Sequence, residues 1–171
     1  AIDATYSTSM EHHAPMEPHA IIAQWRGNDA VTIYEPSQWV LVGQRTYAEV
    51  LGLPVERVRL VSPYIGGAFG AKAFPWPHGL LCAAAARQIG KPLKLVVSRR
   101  QMTANTGQRS PTEQRIRLSA TADGTLTAID HEAKSHTSPV NVFTEPCTRV
   151  TPVMYATPNM RLYQELAVLN A

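Results

Sequence analysis

The stretch Ile65-Gly66-Gly67-Ala68-Phe69-Gly70-Ala71-Lys72 decides how the rest of the chain is read. Three glycines and two alanines in eight residues leave almost no side chain around a single phenylalanine. Such a backbone can adopt positive φ angles and bring its N–H groups close to a ligand. The run follows Val58-Arg59-Leu60-Val61, which reads as a strand, and precedes a helix-like stretch. It therefore marks a strand-to-helix turn, a place where oxygen-rich, anionic groups bind readily. The spacing is neither GxGxxG nor GxxxxGK[ST], so neither a dinucleotide fingerprint nor a P-loop fits. A glycine turn that serves only the backbone is the competing reading of this segment taken alone.

Outward from the loop, the periodicity alternates between strand and helix. Residues 20–25 and 30–35 are strand candidates around the turn Arg26-Gly27-Asn28-Asp29. Ser37 is expected to cap a helix running to about Leu51, with Val40, Tyr47, Val50 and Leu51 on one face. Gly52 and Pro54 stop it. Residues 57–62 form the next strand, residues 77–89 a second helix ended by Gly90 and Pro92, and Leu93 to Val97 a further strand. A hairpin follows: Ile116, Leu118 and Ala120 alternate with Arg115, Arg117 and Ser119, Asp123-Gly124 turns the chain, and residues 126–131 return. From about Ser135 to Pro152 the chain is polar and punctuated by prolines, which reads as an irregular connection or a docking surface. Leu162 to Leu169 is a last strand or edge segment. The order β-β-α-β-α-β implies an α+β fold, a two-layer α/β sandwich whose mixed sheet carries helices on one face.

Composition narrows the function classes. A chain of 171 residues and 18.7 kDa with 44% hydrophobic residues is enough for one domain and its core. Mean hydropathy is -0.15, and no apolar run is long enough to span a bilayer. The net charge of +3 and the pI near 9.0 come from scattered basic residues, which argues against a nucleic-acid arm. Such a mildly positive surface suits docking of an anionic cofactor or a partner subunit. Cys82 and Cys147 lie far apart and belong to no CxxC or Cys/His spacing, so no iron–sulfur or zinc site is encoded. Cys82, among Leu80-Leu81 and four alanines, reads as a buried small apolar residue. His12, His13 and His19 cluster without the spacing of a metal motif, and the first residues read as mature, folded sequence with no signal peptide.

Several motifs recur in a telling order: His13-Ala14-Pro15-Met16-Glu17-Pro18, the Ser37-Gln38 pair, the glycine loop, Thr106-Gly107-Gln108-Arg109-Ser110-Pro111, and a tail around Tyr155-Ala156-Thr157-Pro158-Asn159. Over roughly residues 5–135 this resembles the molybdopterin-binding large subunit of the xanthine dehydrogenase/aldehyde oxidase family, in particular its bacterial aldehyde oxidoreductase branch. The resemblance implies part of a molybdenum hydroxylase that oxidises aldehydes to carboxylic acids with water as the oxygen source. It implies a molybdenum-pyranopterin in its cytosine dinucleotide form, and partners carrying a 2Fe-2S cluster and FAD. Relatives work in the bacterial cytoplasm or periplasm. On this basis residues 1–135 form the first part of a cofactor-binding domain, and residues 136–171 an irregular connection and final strand leading to a remainder of the subunit.

The resemblance also assigns residues. Gln38, Gly67, Ala68, Phe69 and Gly70 match positions that approach the cofactor, with a Gln38 amide able to donate to a metal-oxo group. Phe69, Ala73 and Arg109 match the substrate pocket, Arg109 offering fixed donors to oxyanions and carbonyls. Bland readings stand beside these: Gln38 as a first-turn helix residue, Phe69 as ordinary core, Arg109 as a surface cation. Glu17 is expected in a turn, paired with a nearby arginine.

Two departures from the family pattern matter. Purine-oxidising relatives carry a glutamate just after the loop lysine, where this chain has Ala73 followed by Phe74-Pro75-Trp76-Pro77. An apolar rim leaves a purine's polar edge unpaired, so an aldehyde with an apolar or aromatic body is the expected substrate. The family's base glutamate belongs to a glycine-rich motif that these 171 residues lack, so no catalytic residue and no metal ligand is assigned here. The isolated chain is expected to fold, to carry no molybdenum and to catalyse nothing. A non-catalytic binding or assembly module that kept the fold is the alternative.

Overall fold

The computed structural model of the chain describes residues 1–140 and 142–169. In chain order its strands are β1 (Ile2–Thr8), β2 (Glu11–His12), β3 (Ala20–Arg26), β4 (Ala30–Tyr34), β5 (Val58–Val61), β6 (Leu93–Val96), β7 (Gln108–Arg109), β8 (Thr112–Ala120), β9 (Leu126–Thr137) and β10 (Asn159–Val168). The helices are α1 (Val40–Leu51), α2 (Pro77–Ile89), α3 (Arg99–Asn105) and α4 (Thr151–Met154). Two compact units divide the chain: His12–Gln108, and Ala1–Glu11 with Arg109–Ala171.

The unit of residues 12–108 carries the β-β-α-β-α-β order read from the sequence. Its four-stranded sheet runs β5-β4-β3-β6, with β4 and β5 parallel and the other pairs antiparallel. Alternate residues point to one face, as a period of two requires: Ile21, Ala23, Val31, Ile33, Val58 and Leu60 are buried, while Ile22 is exposed. Tyr47 and Ala48 of α1 and Cys82, Ala83 and Ala86 of α2 close the core over that face. Each fully buried Ile or Val there contributes about 1.5–3 kcal/mol. Cys82 is a free thiol donating to the Leu93 carbonyl, a small core residue as expected.

Local signals act largely as read, with two corrections in α1. Gly52 caps the helix at φ +66, and the Leu53 amide reaches back to the Ala48 carbonyl at 2.8 Å. Ser37, however, does not cap the helix, which starts at Val40 behind Trp39 and has no side-chain cap. The backbone N–H of Ser37 donates to Ser62 Oγ and that of Gln38 to the Lys72 carbonyl, which ties residues 37 and 38 down outside the helix, with a bend at Gln38. Val50 also turns outward, and the stripe facing the core is Val40, Gly43, Tyr47, Ala48 and Leu51. Gly43 is there for close approach: a Cβ would lie 2.6 Å from Leu60 Cδ2. The helix α3 was not expected. Ser98 and Gln101 build a capping box at its start, Ser98 N–H donating to Gln101 Oε1 at 2.9 Å.

In the other unit the sheet runs β1-β8-β9-β10. The β8–β9 hairpin turns at Asp123-Gly124 as expected, but its return strand extends to Thr137 instead of His131. The extension has a cause in the neighbours. β10 pairs in parallel with β9 from Asn159↔Ala128 to Val168↔Thr137. β1, which local pattern did not reveal, pairs with β8 from Ile2↔Leu118 to Thr8↔Thr112. One face of β9 buries Ile129, His131, Ala133, Ser135 and Thr137. His131 is satisfied from both ring nitrogens, by Thr151 Oγ1 at 2.8 Å and Gln114 Oε1 at 2.9 Å. Arg117 and Arg161 bridge Asp130 and Glu132. Of the stretch Ser135 to Pro152 expected to be irregular, the described residues between 138 and 150 form no helix or strand, but Ser135 to Thr137 belong to β9 and Thr151 and Pro152 open α4.

Candidate functional site

The glycine loop between β5 and α2 has the backbone its composition foretold. Gly67 and Gly70 sit at φ +89 and +105, and Phe69 between them takes φ +56. A bulky residue held there stores strain on the order of 1–3 kcal/mol, which persists only where the surroundings enforce it. Phe69 is 64% exposed, so its ring is not ordinary core.

The surroundings enforce the loop from three sides. First, the His13–Pro18 segment is stitched to it: the Glu17 N–H donates to the Gly66 carbonyl and the Gly66 N–H to Glu17 Oε2, both at 3.0 Å. A Cβ on Gly66 would meet Glu17 Cβ at 2.8 Å, so only glycine fits. Second, Lys72, with its side chain 1% exposed, donates its ammonium to Glu17 Oε2 at 2.6 Å and to the Glu17 carbonyl at 3.0 Å. The partner of Glu17 is thus Lys72, not an arginine, because the loop folds its own lysine back across the motif. Partial burial raises the Glu17 pKa, but hydrogen bonds from Lys72 and Gly66 outweigh it and hold the carboxyl below its ordinary range. Third, the Ala71 carbonyl accepts from His19 Nε2 at 3.0 Å and from Trp76 Nε1 at 2.6 Å. The first of these places the His19 proton on Nε2, and burial holds the ring below the ordinary histidine pKa. Trp76 is therefore a strut under the loop and not part of an open rim; a Cβ on Gly107 would strike its ring at 2.4 Å. Arg99 on α3 completes the clamp by donating to the carbonyls of Pro15 and Met16.

Gln38 joins this assembly by its side chain. Its Oε1 accepts from the backbone N–H of Gly70 at 3.1 Å and of Lys72 at 3.2 Å, and its own N–H donates to the Lys72 carbonyl at 2.8 Å. Fixing the oxygen fixes the amide, whose Nε2 has no partner among the described residues. The backbone N–H groups of Gly67 and Ala68 also donate to no described residue. A preorganised amide and two loop N–H groups are thus unspent beside a strained, exposed Phe69. That donor set fits an oxygen-rich, anionic group.

Of the sequence-derived candidates, Gln38, Gly67, Ala68, Phe69, Gly70 and Ala73 come together on this loop, Ala73 closing a turn onto the Gly70 carbonyl at 3.3 Å. Arg109 belongs to the other unit, in β7. Lys72, His19 and Trp76 were missed as loop supports, although Lys72 lies in the motif itself. Beneath the site lies a further polar group without a sequence signal. Tyr47 donates to Glu35 Oε2 at 2.6 Å, and His78 Nε2 stands 3.9 Å from Glu35 Oε1. Burial pushes Glu35 up to about 7 and His78 down to about 4. Among the described residues, no cluster of three or more His, Cys, Asp or Glu could hold a metal ion directly.

Comparison with known proteins gives the family of the chain. The aldehyde oxidoreductase molybdenum-binding subunit PaoC of Escherichia coli (strain K12) is 39% identical over 169 residues, which is 99% of this chain and 23% of that protein. The aldehyde oxidoreductase of Megalodesulfovibrio gigas is 30% identical over 131 residues, 77% of this chain and 14% of that protein. Among solved structures, the aldehyde oxidoreductase from Desulfovibrio gigas superimposes with a TM-score of 0.82 at 25% identity, over 99% of this chain and 19% of that one. The quinoline 2-oxidoreductase from Pseudomonas putida 86 shares the fold, with a TM-score of 0.85 at 17% identity over 99% of this chain and 22% of that one. The chain thus spans less than a quarter of the length of these relatives. Its whole length, residues 1–171, matches the family described as the molybdopterin cofactor-binding domain, and the chain belongs to that family.

Proposed function

We propose that this chain is the part of a molybdenum hydroxylase that brings the glycine loop and Gln38 to the molybdenum-pyranopterin, and that the complete enzyme oxidises aldehydes to carboxylic acids. The cofactor, when bound, supplies the two-electron chemistry, with water as the oxygen source. This chain's residues bind and orient. The Nε2 of Gln38 donates to an oxygen of the cofactor, while the Gly67 and Ala68 N–H groups present further donors to it. Gly70 gives Gln38 a fixed acceptor geometry, and the Phe69 ring shields the site from water. Ala73 presents a methyl group to the substrate. Arg109 is assigned to substrate orientation on the family resemblance alone. The base that activates water is assigned outside these residues, and on the family resemblance partner subunits would carry the 2Fe-2S cluster and FAD that receive the electrons. The pyranopterin is read as its cytosine dinucleotide form on the same resemblance.

The observation that carries the reading is the set of unspent donors on Gln38, Gly67 and Ala68, held beside a phenylalanine in left-handed backbone. Substrate choice tests it. In the complete enzyme, kcat/KM for benzaldehyde exceeds that for xanthine, because a purine meets no polar partner at Ala73. Ala73→Glu lowers kcat/KM for benzaldehyde by about tenfold or more, since it sets a carboxylate beside an apolar ring. Efficient oxidation of xanthine by the unmodified enzyme overturns the aldehyde reading.

A further inference from the structure

We propose that Trp39, paired with Phe74, is a specificity-determining residue whose indole forms a platform for the ring of an aromatic aldehyde. The proposal rests on the aldehyde reading above and deepens it. Two chain segments run side by side at the loop, joined by Gln38 N–H to the Lys72 carbonyl at 2.8 Å and by the Gly70 and Lys72 N–H groups to Gln38 Oε1. Each segment leaves the stitched region through an exposed aromatic residue, Trp39 directly after Gln38 and Phe74 directly after Ala73. Their rings meet at 6.0 Å between centroids and 51° between planes. The two aromatics thereby continue the surface that Gln38 and the Ala73 methyl begin.

Three observations separate Trp39 from a residue kept for folding. Trp25 and Trp76 both spend their indole N–H inside the unit, on the Ala83 carbonyl at 2.8 Å and the Ala71 carbonyl at 2.6 Å. The indole N–H of Trp39 alone among the tryptophans has no acceptor among the described residues, its backbone N–H going to Ser37 Oγ, and the residue is 53% exposed. It also occupies the N-cap of α1, where a Ser, Thr, Asp or Asn would satisfy an open helix amide and Trp satisfies none. The chain forgoes that stabilisation and exposes a large indole at the point where Gln38 is anchored. A flat, weakly polar ring is the ligand that such a tilted pair accommodates, by offset or edge-to-face stacking, and the free N–H suits a polar ring substituent.

The test uses the complete enzyme with its partner subunits, in wild-type, Trp39→Phe and Trp39→Ala forms. kcat/KM is measured for benzaldehyde and for acetaldehyde, and molybdenum content is determined for each preparation. Loss of stacking lowers the benzaldehyde-to-acetaldehyde ratio about tenfold in Trp39→Ala, through KM more than kcat, and Trp39→Phe restores most of it. An unchanged ratio overturns the role of Trp39 while leaving the aldehyde reading intact. So does loss of molybdenum from Trp39→Ala with both aldehydes affected equally, since that is the behaviour of a structural residue. Wild-type enzyme that oxidises neither aldehyde overturns the aldehyde reading itself, and Trp39's role with it.

Discussion

Lys72→Met tests whether the loop is held in place by its own lysine. Methionine keeps the length and apolar stem of the side chain and removes only the ammonium. That ammonium makes two contacts, to Glu17 Oε2 at 2.6 Å and to the Glu17 carbonyl at 3.0 Å, from a side chain 1% exposed. Removing one partner of a fully buried pair costs about 3–5 kcal/mol. Glu17 is 34% exposed and keeps the Gly66 N–H, so water and that amide recover part of the loss. The expected destabilisation is about 2–3 kcal/mol, or a fall in Tm of about 4–12 °C for a chain of this size. Urea unfolding followed by circular dichroism measures it, and a double-mutant cycle with Glu17→Gln isolates the pair. The pH dependence carries a sign. The Glu17 carboxyl is held below its ordinary value, so its contribution is full above 4.5 and fades as pH falls through the folded pKa. The cost of Lys72→Met therefore shrinks in acid. A loss under about 0.5 kcal/mol at pH 7, or one that grows as pH falls, refutes the latch.

Two further outcomes follow from the polar group under the helices. Burial lifts Glu35 from 4.5 to about 7, so the folded state holds its proton more tightly and stability declines as pH rises across that window, by about 3 kcal/mol at most. Glu35→Gln removes this decline and leaves the opposite slope of His78, whose pKa is lowered to about 4 from 6.5 and which favours the folded state as pH rises between those values. Unfolding curves at pH 5 and pH 8 that change in parallel for wild type and Glu35→Gln contradict the assignment. Gly79→Ala would ordinarily favour a helix, yet here the new Cβ lies 2.1 Å from the Tyr47 hydroxyl and 3.3 Å from Glu35 Oε1. Thermal unfolding is expected to show a loss of about 1–3 kcal/mol, partly recovered by adding Tyr47→Phe; a gain in Tm sinks that packing argument.

The parts of the fold legible in the sequence were those fixed by local chemistry. Gly52 and Gly90 end their helices because each must adopt left-handed backbone, and alternating Ile21, Ala23, Val31 and Ile33 announce one buried face. What escaped reading depends on partners distant in sequence. The residues of β1 alternate no more clearly than many loops, and become a strand only against β8 more than a hundred positions away. The end of β9 is polar and extends because β10 pairs along it. α3 is a different case: Ser98 and Gln101 have capping-box spacing and could have been read. At the site, the glycines and Gln38 carried a local signal. The Glu17–Lys72 pair spans 55 positions, and an arginine was the wrong guess because sequence distance says nothing about which cation folds back. Trp76 read as an open rim residue because nothing local reveals the Ala71 carbonyl waiting for its N–H.

The claim that Gln38 serves the cofactor through its amide nitrogen is tested most directly by Gln38→Glu beside Gln38→Ala in the complete enzyme. A glutamate keeps the oxygen that accepts from Gly70 and Lys72, and so preserves the loop, but it replaces the donating Nε2 with an acceptor. With molybdenum content matched across preparations, kcat is expected to fall on the order of 10–1000-fold in both variants, with KM changed far less. Wild-type turnover in fully metallated Gln38→Glu would show that the side chain only fastens the loop, and would contradict the role assigned to its donor.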